Sequence, residues 1–197
     1  MTGSIDVGIA IGAESASFSS SRLDRPFVDD IMNSETEAKD IMQPMGQTSE
    51  NVAIDFNISR EEQDRYAVES YRRAEVAQRE GWFDDEIVPF TVDLNGKKDS
   101  TVISKDEGPR WGTTYEALAK LKPSFSEHGN RSTAGNSSQV TDGAAAALLM
   151  RRSKALELGQ PILAKYVGGT IEGLAPRIMG IGPVLVGEPV CGCLELR

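Results

Sequence analysis

Cys191 and Cys193 stand one residue apart near the C-terminus, and His128 is the one histidine among 197 residues. Two thiols at that spacing are too close for an easy disulfide and too few for a metal site. A single imidazole excludes histidine-based metal clusters and leaves any Ser-His or Cys-His pair one candidate base. No GxGxxG, GxxxxGK[ST] or HExxH pattern occurs. Three N-x-S triplets begin at Asn57, Asn130 and Asn136, which a reducing compartment would leave unmodified. His128, within SEHGNR, reads as a surface loop residue rather than as a base.

The elements that must position any site are legible in part. Ile5, Val7, Ile9 and Ile11 alternate with Asp6, Gly8, Ala10 and Gly12, which predicts a strand over 4–12 with tiny residues on its second face. Residues 13–51 lack either period and carry a short helix around Thr36 to Ile41. Ser59 with Glu62 three residues later is a capping box, and Tyr66, Ala67, Ser70, Ala74 and Ala77 follow at helical spacing up to Gly81. Residues 85–93 and 100–104 read as strands around the Asn95-Gly96 turn, with Pro89 marking an edge. Short helices are expected at Thr114 to Leu121 and Ser153 to Leu158, and a strand at Ile162 to Val167. The run Ala144 to Met150 fits helix by propensity and buried strand by its bounded apolar character.

Composition and charge narrow the functions. With 21 basic and 30 acidic residues the net charge is −9, so the basic face of a nucleic-acid binder is not expected. Apolar residues make up 39%, enough for a buried core. No apolar run approaches the roughly 18 residues of a membrane span, and no basic-then-apolar leader opens the chain. The chain therefore reads as soluble and intracellular. Residues 29–107 hold 20 acidic and 9 basic residues, whereas 108–197 hold 7 and 10. A phosphorylated ligand would find its partners in the second half, and the acidic half reads as the solvated face of a long helix.

The segments DVGIAIGAES (Asp6 to Ser15), MGQTSENVA (Met45 to Ala53), SREEQD (Ser59 to Asp64), DEIVPF (Asp85 to Phe90), LAKLKPSF (Leu118 to Phe125), STAGNSSQVTDGAAAALL (Ser132 to Leu149) and MGIGPV (Met179 to Val184) occur in this order. Together they resemble the thiolase family, and the wording is nearest to the 3-ketoacyl-CoA thiolases of the peroxisomal type. The resemblance implies an α/β fold: an incomplete thiolase-like layered fold, with 1–24 and 126–160 part of the N-terminal domain, 25–125 an inserted CoA-binding loop domain, 161–184 the start of the C-terminal domain and 185–197 an unrelated tail. It also settles Ala144 to Met150 as a buried strand.

What the resemblance implies for function is an acyl-CoA acyltransferase of fatty-acid β-oxidation, cleaving 3-ketoacyl-CoA thiolytically. CoA is then a substrate rather than a permanently bound cofactor, acyl-CoA the other ligand, and a homodimer the family's assembly, with no nucleic-acid partner, no metal and a peroxisomal location. Arg110 matches an arginine on the nucleotide end of CoA, Ser138 a serine on the pantetheine arm, Ala134 a residue lining that channel, and Met45 a methionine beside the acyl pocket; Pro44 departs from relatives that carry histidine. Taken alone, Arg110 reads as a surface arginine, Ser138 as a loop cap and Met45 as core filling. Thiolysis needs a thiolate nucleophile, an activating histidine, a second cysteine and an oxyanion hole. The family segments that carry these do not match anything here, so no catalytic residue is assigned and the chain is expected to be an internal part of a thiolase, inactive alone. The alternative is a non-catalytic CoA-binding or subunit-association module; a condensing enzyme working on carrier-protein thioesters is disfavoured by the CoA-type loop domain. From Leu185 onward, Gly187, Pro189 and Gly192 lead us to expect no helix and an unordered tail.

Overall fold

Alternation in the first apolar segment produces β1 (Val7–Ser15), which pairs antiparallel with β4 (Asp142–Met150) in an unbroken register from Val7 opposite Met150 to Ser15 opposite Asp142. The computed structural model describes residues 5–19, 29–93 and 100–193. Ile9 faces Leu148, while on the other side Gly8, Ala10 and Gly12 face Leu149, Ala147 and Ala145. The alanine run is thus a strand, its ladder overriding alanine's preference for helix, but not the buried strand expected: residues 142–149 are exposed, because among the described residues β1 is the one strand beside it. β1 runs three residues further than the alternation suggested, ending where the Asp142 carboxylate accepts the Ser17 N–H at 2.9 Å.

The chain divides into two compact units. The first comprises residues 1–41, 140–175 and 181–197; the second comprises 42–139 and 176–180. In the first unit the β1–β4 ribbon is joined by α1 (Ala16–Ser19), α2 (Asp29–Ser34), α3 (Thr36–Asp40), α7 (Arg152–Glu157) and α8 (Gly182–Cys193). Gly159, at φ +63°, ends α7 in the left-handed conformation that glycine adopts freely.

The second unit holds α4 (Met45–Asp55), α5 (Arg60–Arg79), β2 (Phe90–Asp93), β3 (Ser100–Ile103) and α6 (Tyr115–Leu118). The α5 capping box forms as the spacing predicts: the Ser59 hydroxyl accepts the Glu62 N–H at 3.2 Å and the Glu62 carboxylate accepts the Ser59 N–H at 2.7 Å. Ala67 and Ala77 are buried on its inner face. Tyr66 and Ser70 belong to the outer face instead, and Asp64 takes a buried place that the apolar pattern did not mark. β2 and β3 form the expected hairpin, Phe90 opposite Ile103 to Asp93 opposite Ser100; its Asn95-Gly96 turn lies outside the described residues.

Three expectations need correction. MGQTSENVA, read as irregular, is most of α4; its Gly, Thr and Ser are poor helix formers, but Gly46, Thr48 and Glu50 are buried, and packing outweighs propensity. Residues 162–167 form no strand: 160–175 lack regular structure and Leu163 is 94% exposed. Among the described residues no strand pairs with them, and an extended segment without a ladder partner has nothing to hold it as sheet. The tail is not devoid of helix, since 182–193 are helical; Pro183 sits in the first turn, where its missing N–H costs nothing, and the run Val184 to Val186 follows.

Candidate functional site

Residues 129–139, Gly-Asn-Arg-Ser-Thr-Ala-Gly-Asn-Ser-Ser-Gln, follow neither secondary-structure period, so their backbone polar groups must find partners elsewhere. Two carboxylates from consecutive helices provide them. Glu50 of α4, 1% exposed, accepts the N–H groups of Arg131 at 2.9 Å and Ser132 at 2.7 Å, and its other oxygen lies 3.4 Å from Arg131 Nη1. Asp64 of α5, also 1% exposed, accepts from Arg60 Nε at 2.7 Å and from Asn136 Nδ2 at 2.9 Å. Asn136 closes the loop on itself: its Oδ1 accepts the Thr133 N–H at 2.7 Å and its Nδ2 donates to the Arg131 carbonyl at 3.0 Å. Arg60 Nη2 donates onward to the Leu118 carbonyl at 2.8 Å, tying α6 to the same network. Among the described residues, no buried side-chain nitrogen or oxygen lacks a partner.

Removal from water is the largest influence on Glu50 and pushes its carboxyl up. The N–H groups of Ser132 and Arg131, with the Ser132 hydroxyl and the Arg131 guanidinium, together outweigh it, so the group sits below its usual value of 4.5 and is ionised near neutrality. The loop is further clamped from below by the Pro123–Thr133 bridge and by the Ser124 N–H donating to the Ser132 carbonyl at 2.9 Å. Gly129 and Gly135 permit this closeness. A Cβ on Gly129 would collide with the Glu50 carboxylate, and one on Gly135 would stand 2.5 Å from methyl carbons of Leu118 and Leu121.

This scaffold buries Ser132, Thr133 and Gly135 and leaves Ala134, Ser137, Ser138 and Gln139 exposed. The Ser138 hydroxyl donates to the Gln139 carbonyl at 3.2 Å. A second loop, 104–114, carries Arg110 and is folded onto the last turns of α5. Trp111 Nε1 donates to Gln78 Oε1 at 3.1 Å, Gln78 Nε2 donates to the Asp106 carbonyl at 2.9 Å, and the Gly112 N–H donates to Glu75 at 3.1 Å. The Arg79 guanidinium covers the Trp111 ring at 4.9 Å. Arg110 itself is exposed, its carbonyl taking the Thr113 hydroxyl at 2.7 Å.

The two loops meet where Gly108 packs against the Gln139 side chain, two residues from Arg110 and one from Ser138. Met45 joins them through α4: one turn along, the Ser49 hydroxyl is hydrogen-bonded to that of Ser132 at 3.0 Å. Met45 also lines an apolar groove of about 360 Å³ with Val52, Ile58 and Met179. Asn51 Nδ2 holds the groove's far wall by donating to the Arg177 carbonyl at 2.9 Å. All four sequence-assigned residues therefore lie in one compact unit, on or beside the same buried network. His128 lies on the turn after Phe125, its Nε2 at 3.6 Å from Glu127. Cys191 and Cys193 fall in the last turn of α8. Sequence reasoning missed Glu50, Asp64, Asn136 and Arg60. The segments MGQTSENVA and SREEQD hold the two carboxylates but do not single them out, since Glu61 and Glu62 of the second segment are exposed.

Such a pair of supported loops can offer a guanidinium to phosphate and a hydroxyl to an amide-bearing chain, beside an apolar groove. The family model described as the thiolase N-terminal domain matches residues 1–153. The chain is 51% identical over 184 residues to the peroxisomal 3-ketoacyl-CoA thiolase of Homo sapiens and 50% identical over 184 residues to 3-ketoacyl-CoA thiolase A of Mus musculus, in each case over 92% of this chain and 43% of the relative. It superposes on the dimeric peroxisomal thiolase of Saccharomyces cerevisiae with a TM-score of 0.87 and 39% identity, over 98% of this chain and 48% of that one. The acetyl-CoA acetyltransferase of Syntrophomonas wolfei follows at 0.75 and 34%, over 98% and 50%. The chain spans less than half the length of the curated relatives it matches, and its mixed helices and strands are part of their α/β layered fold. This chain belongs to the thiolase family.

Proposed function

We propose that this chain supplies the CoA-holding part of a peroxisomal 3-ketoacyl-CoA thiolase, an acyltransferase that cleaves 3-ketoacyl-CoA with a second CoA in fatty-acid β-oxidation and works as a homodimer. In this reading residues 25–125 are the inserted loop domain, 1–24 and 126–160 part of the N-terminal domain and 161–184 the start of the C-terminal one. Arg110 pairs with the nucleotide end of CoA, where a planar guanidinium can stack on adenine and grip phosphate. Ser138 hydrogen-bonds the pantetheine arm, Ala134 lines its path, and Met45 lends a soft side chain to the acyl end. Free CoA enters as substrate and leaves carrying the shortened acyl group, the other product being acetyl-CoA.

The observation that carries the reading is the meeting of two braced loops at Gly108 and Gln139, with Arg110 and Ser138 exposed on either side. Titration calorimetry of CoA into the 197-residue polypeptide tests it. Arg110→Ala should weaken binding about tenfold, the loss of one charge-assisted contact worth ~1.4 kcal/mol; unchanged affinity refutes the assignment. A second reading, a CoA-binding or subunit-association module without catalysis, is favoured by one observation: the sole imidazole, His128, stands beside a carboxylate, its Nε2 3.6 Å from Glu127. Turnover assays separate the two.

A further inference from the structure

We propose that Glu50 and Asp64 are positioning residues for the pantetheine arm of CoA, shaping the 129–138 loop from beneath so that Ala134 and Ser138 face the ligand. The inference rests on the CoA reading above and deepens it. Burying two carboxylates in one small unit is costly unless every oxygen is engaged, and here each is engaged by the loop or by the arginine beside it. Glu50 takes the N–H groups of Arg131 and Ser132, and Asp64 takes Asn136, whose amide in turn fixes Thr133 and Arg131. Hydrogen bonds from these two carboxylates therefore reach residues 131, 132 and 136. Between and just beyond these anchors stand Ala134 and Ser138.

Carboxylates are suited to this task because they only accept. An amide at position 50 keeps the volume but turns one oxygen into a donor facing the N–H groups of Arg131 and Ser132 or the Arg131 guanidinium. Donor then opposes donor, and the loop must shift while the helices beneath it retain their own packing. The ligand end that feels the shift is the one at Ser138. Arg110, braced independently by Glu75, Gln78 and Arg79, keeps its place.

The test compares CoA with adenosine 3′,5′-bisphosphate, which carries the nucleotide end alone, by titration calorimetry on the 197-residue polypeptide. Glu50→Gln should weaken CoA about tenfold and leave the bisphosphate within about twofold. Combined with Ser138→Ala it should cost little beyond Ser138→Ala alone, because both act through one contact. Asn136→Ser, which removes the loop's internal brace together with its bond to Asp64, should show the same split and serves if Glu50→Gln does not fold. Equal losses for both ligands, additive losses in the double variant, or wild-type CoA affinity in a folded Glu50→Gln or Asn136→Ser variant would each overturn the positioning role. Loss of CoA binding on Arg110→Ala with Glu50→Gln unaffected would overturn this inference and leave the CoA reading standing, whereas no CoA binding by the unsubstituted chain would overturn both.

Discussion

Gly46→Ala sets two physical effects of opposite sign against each other. Gly46 lies in the first turn of α4, which begins after the extended Pro44 without a side-chain cap. Helix propensity and the smaller entropy of the unfolded chain both favour alanine, together by up to about 1 kcal/mol and by less in a first turn. Against this, a Cβ at position 46 would stand 2.6 Å from Phe125 Cδ2 and nearer still to Cγ and Cδ1, where carbon atoms prefer roughly 3.5–4.0 Å. The ring would have to retreat by about 1 Å. Its backbone is not free to follow, because the Phe125 carbonyl takes the N–H groups of His128 and Gly129 and the neighbouring Ser124 N–H is bonded to Ser132. Overpacking of this kind costs about 1–3 kcal/mol, so the net expectation is a destabilisation of about 1–2 kcal/mol. Urea unfolding followed by circular dichroism measures it directly, and the thermal midpoint should fall by about 2–8 °C. Adding Phe125→Leu should recover part of the loss, a coupling that two independent sites would lack. A Gly46→Ala variant as stable as the wild type, or more so, would refute the argument that contact with Phe125 requires glycine here.

Two further outcomes are expected. Because Glu50 holds its proton less tightly in the folded state than at its usual value of 4.5, the unfolded chain takes up more protons as the pH falls; the stability Glu50 contributes is complete above that value and is lost as pH drops through the lower folded one. Urea midpoints measured from pH 6 to pH 3 should therefore decline, and Glu50→Gln should flatten that decline; an equally steep acid limb in the variant would contradict it. The 197-residue polypeptide, given acetoacetyl-CoA and CoA, should show no turnover above buffer, since its sole histidine stands beside Glu127 on a loop outside the motif segments; turnover abolished by Cys191→Ser or Cys193→Ser would show otherwise.

Local signals were read well from the chain where they are self-contained. Ser59 and Glu62 announce a helix start because both partners of the capping box lie within four residues, and Ile5 to Ile11 announce a strand by alternation alone. The family resemblance was needed to make Ala144 to Met150 a strand, since the ladder that decides it is formed by residues more than a hundred positions away. Composition misled where burial is set by distant partners. Glu50 and Asp64 belong to an acidic half that reads as solvated surface, and Glu61, Glu62 and most of its other carboxylates are indeed exposed. Nothing local distinguishes the two that are buried, because their donors come from 129–136 and from Arg60. Residues 162–167 failed in the opposite way: their apolar content suits a strand, but among the described residues no partner strand completes one. Of the site, Arg110, Ala134, Ser138 and Met45 were assigned by motif, while the network beneath them was not.

The span of that network has a consequence for how the unit comes into being. Glu50 precedes Arg131 by 81 residues and Asp64 precedes Asn136 by 72. During synthesis both carboxylates emerge long before their donors on the 131–136 loop, and until residue 136 has cleared the ribosome Glu50 and the Asp64 oxygen that takes Asn136 are left to water. α5, capped by its own neighbours, can form early; the loop that presents Ala134 and Ser138 can be set only last, once a long segment has closed on itself and that closure has been compensated by the bonds it completes. The surface that carries Ala134 and Ser138 is therefore ordered only after the helices beneath it.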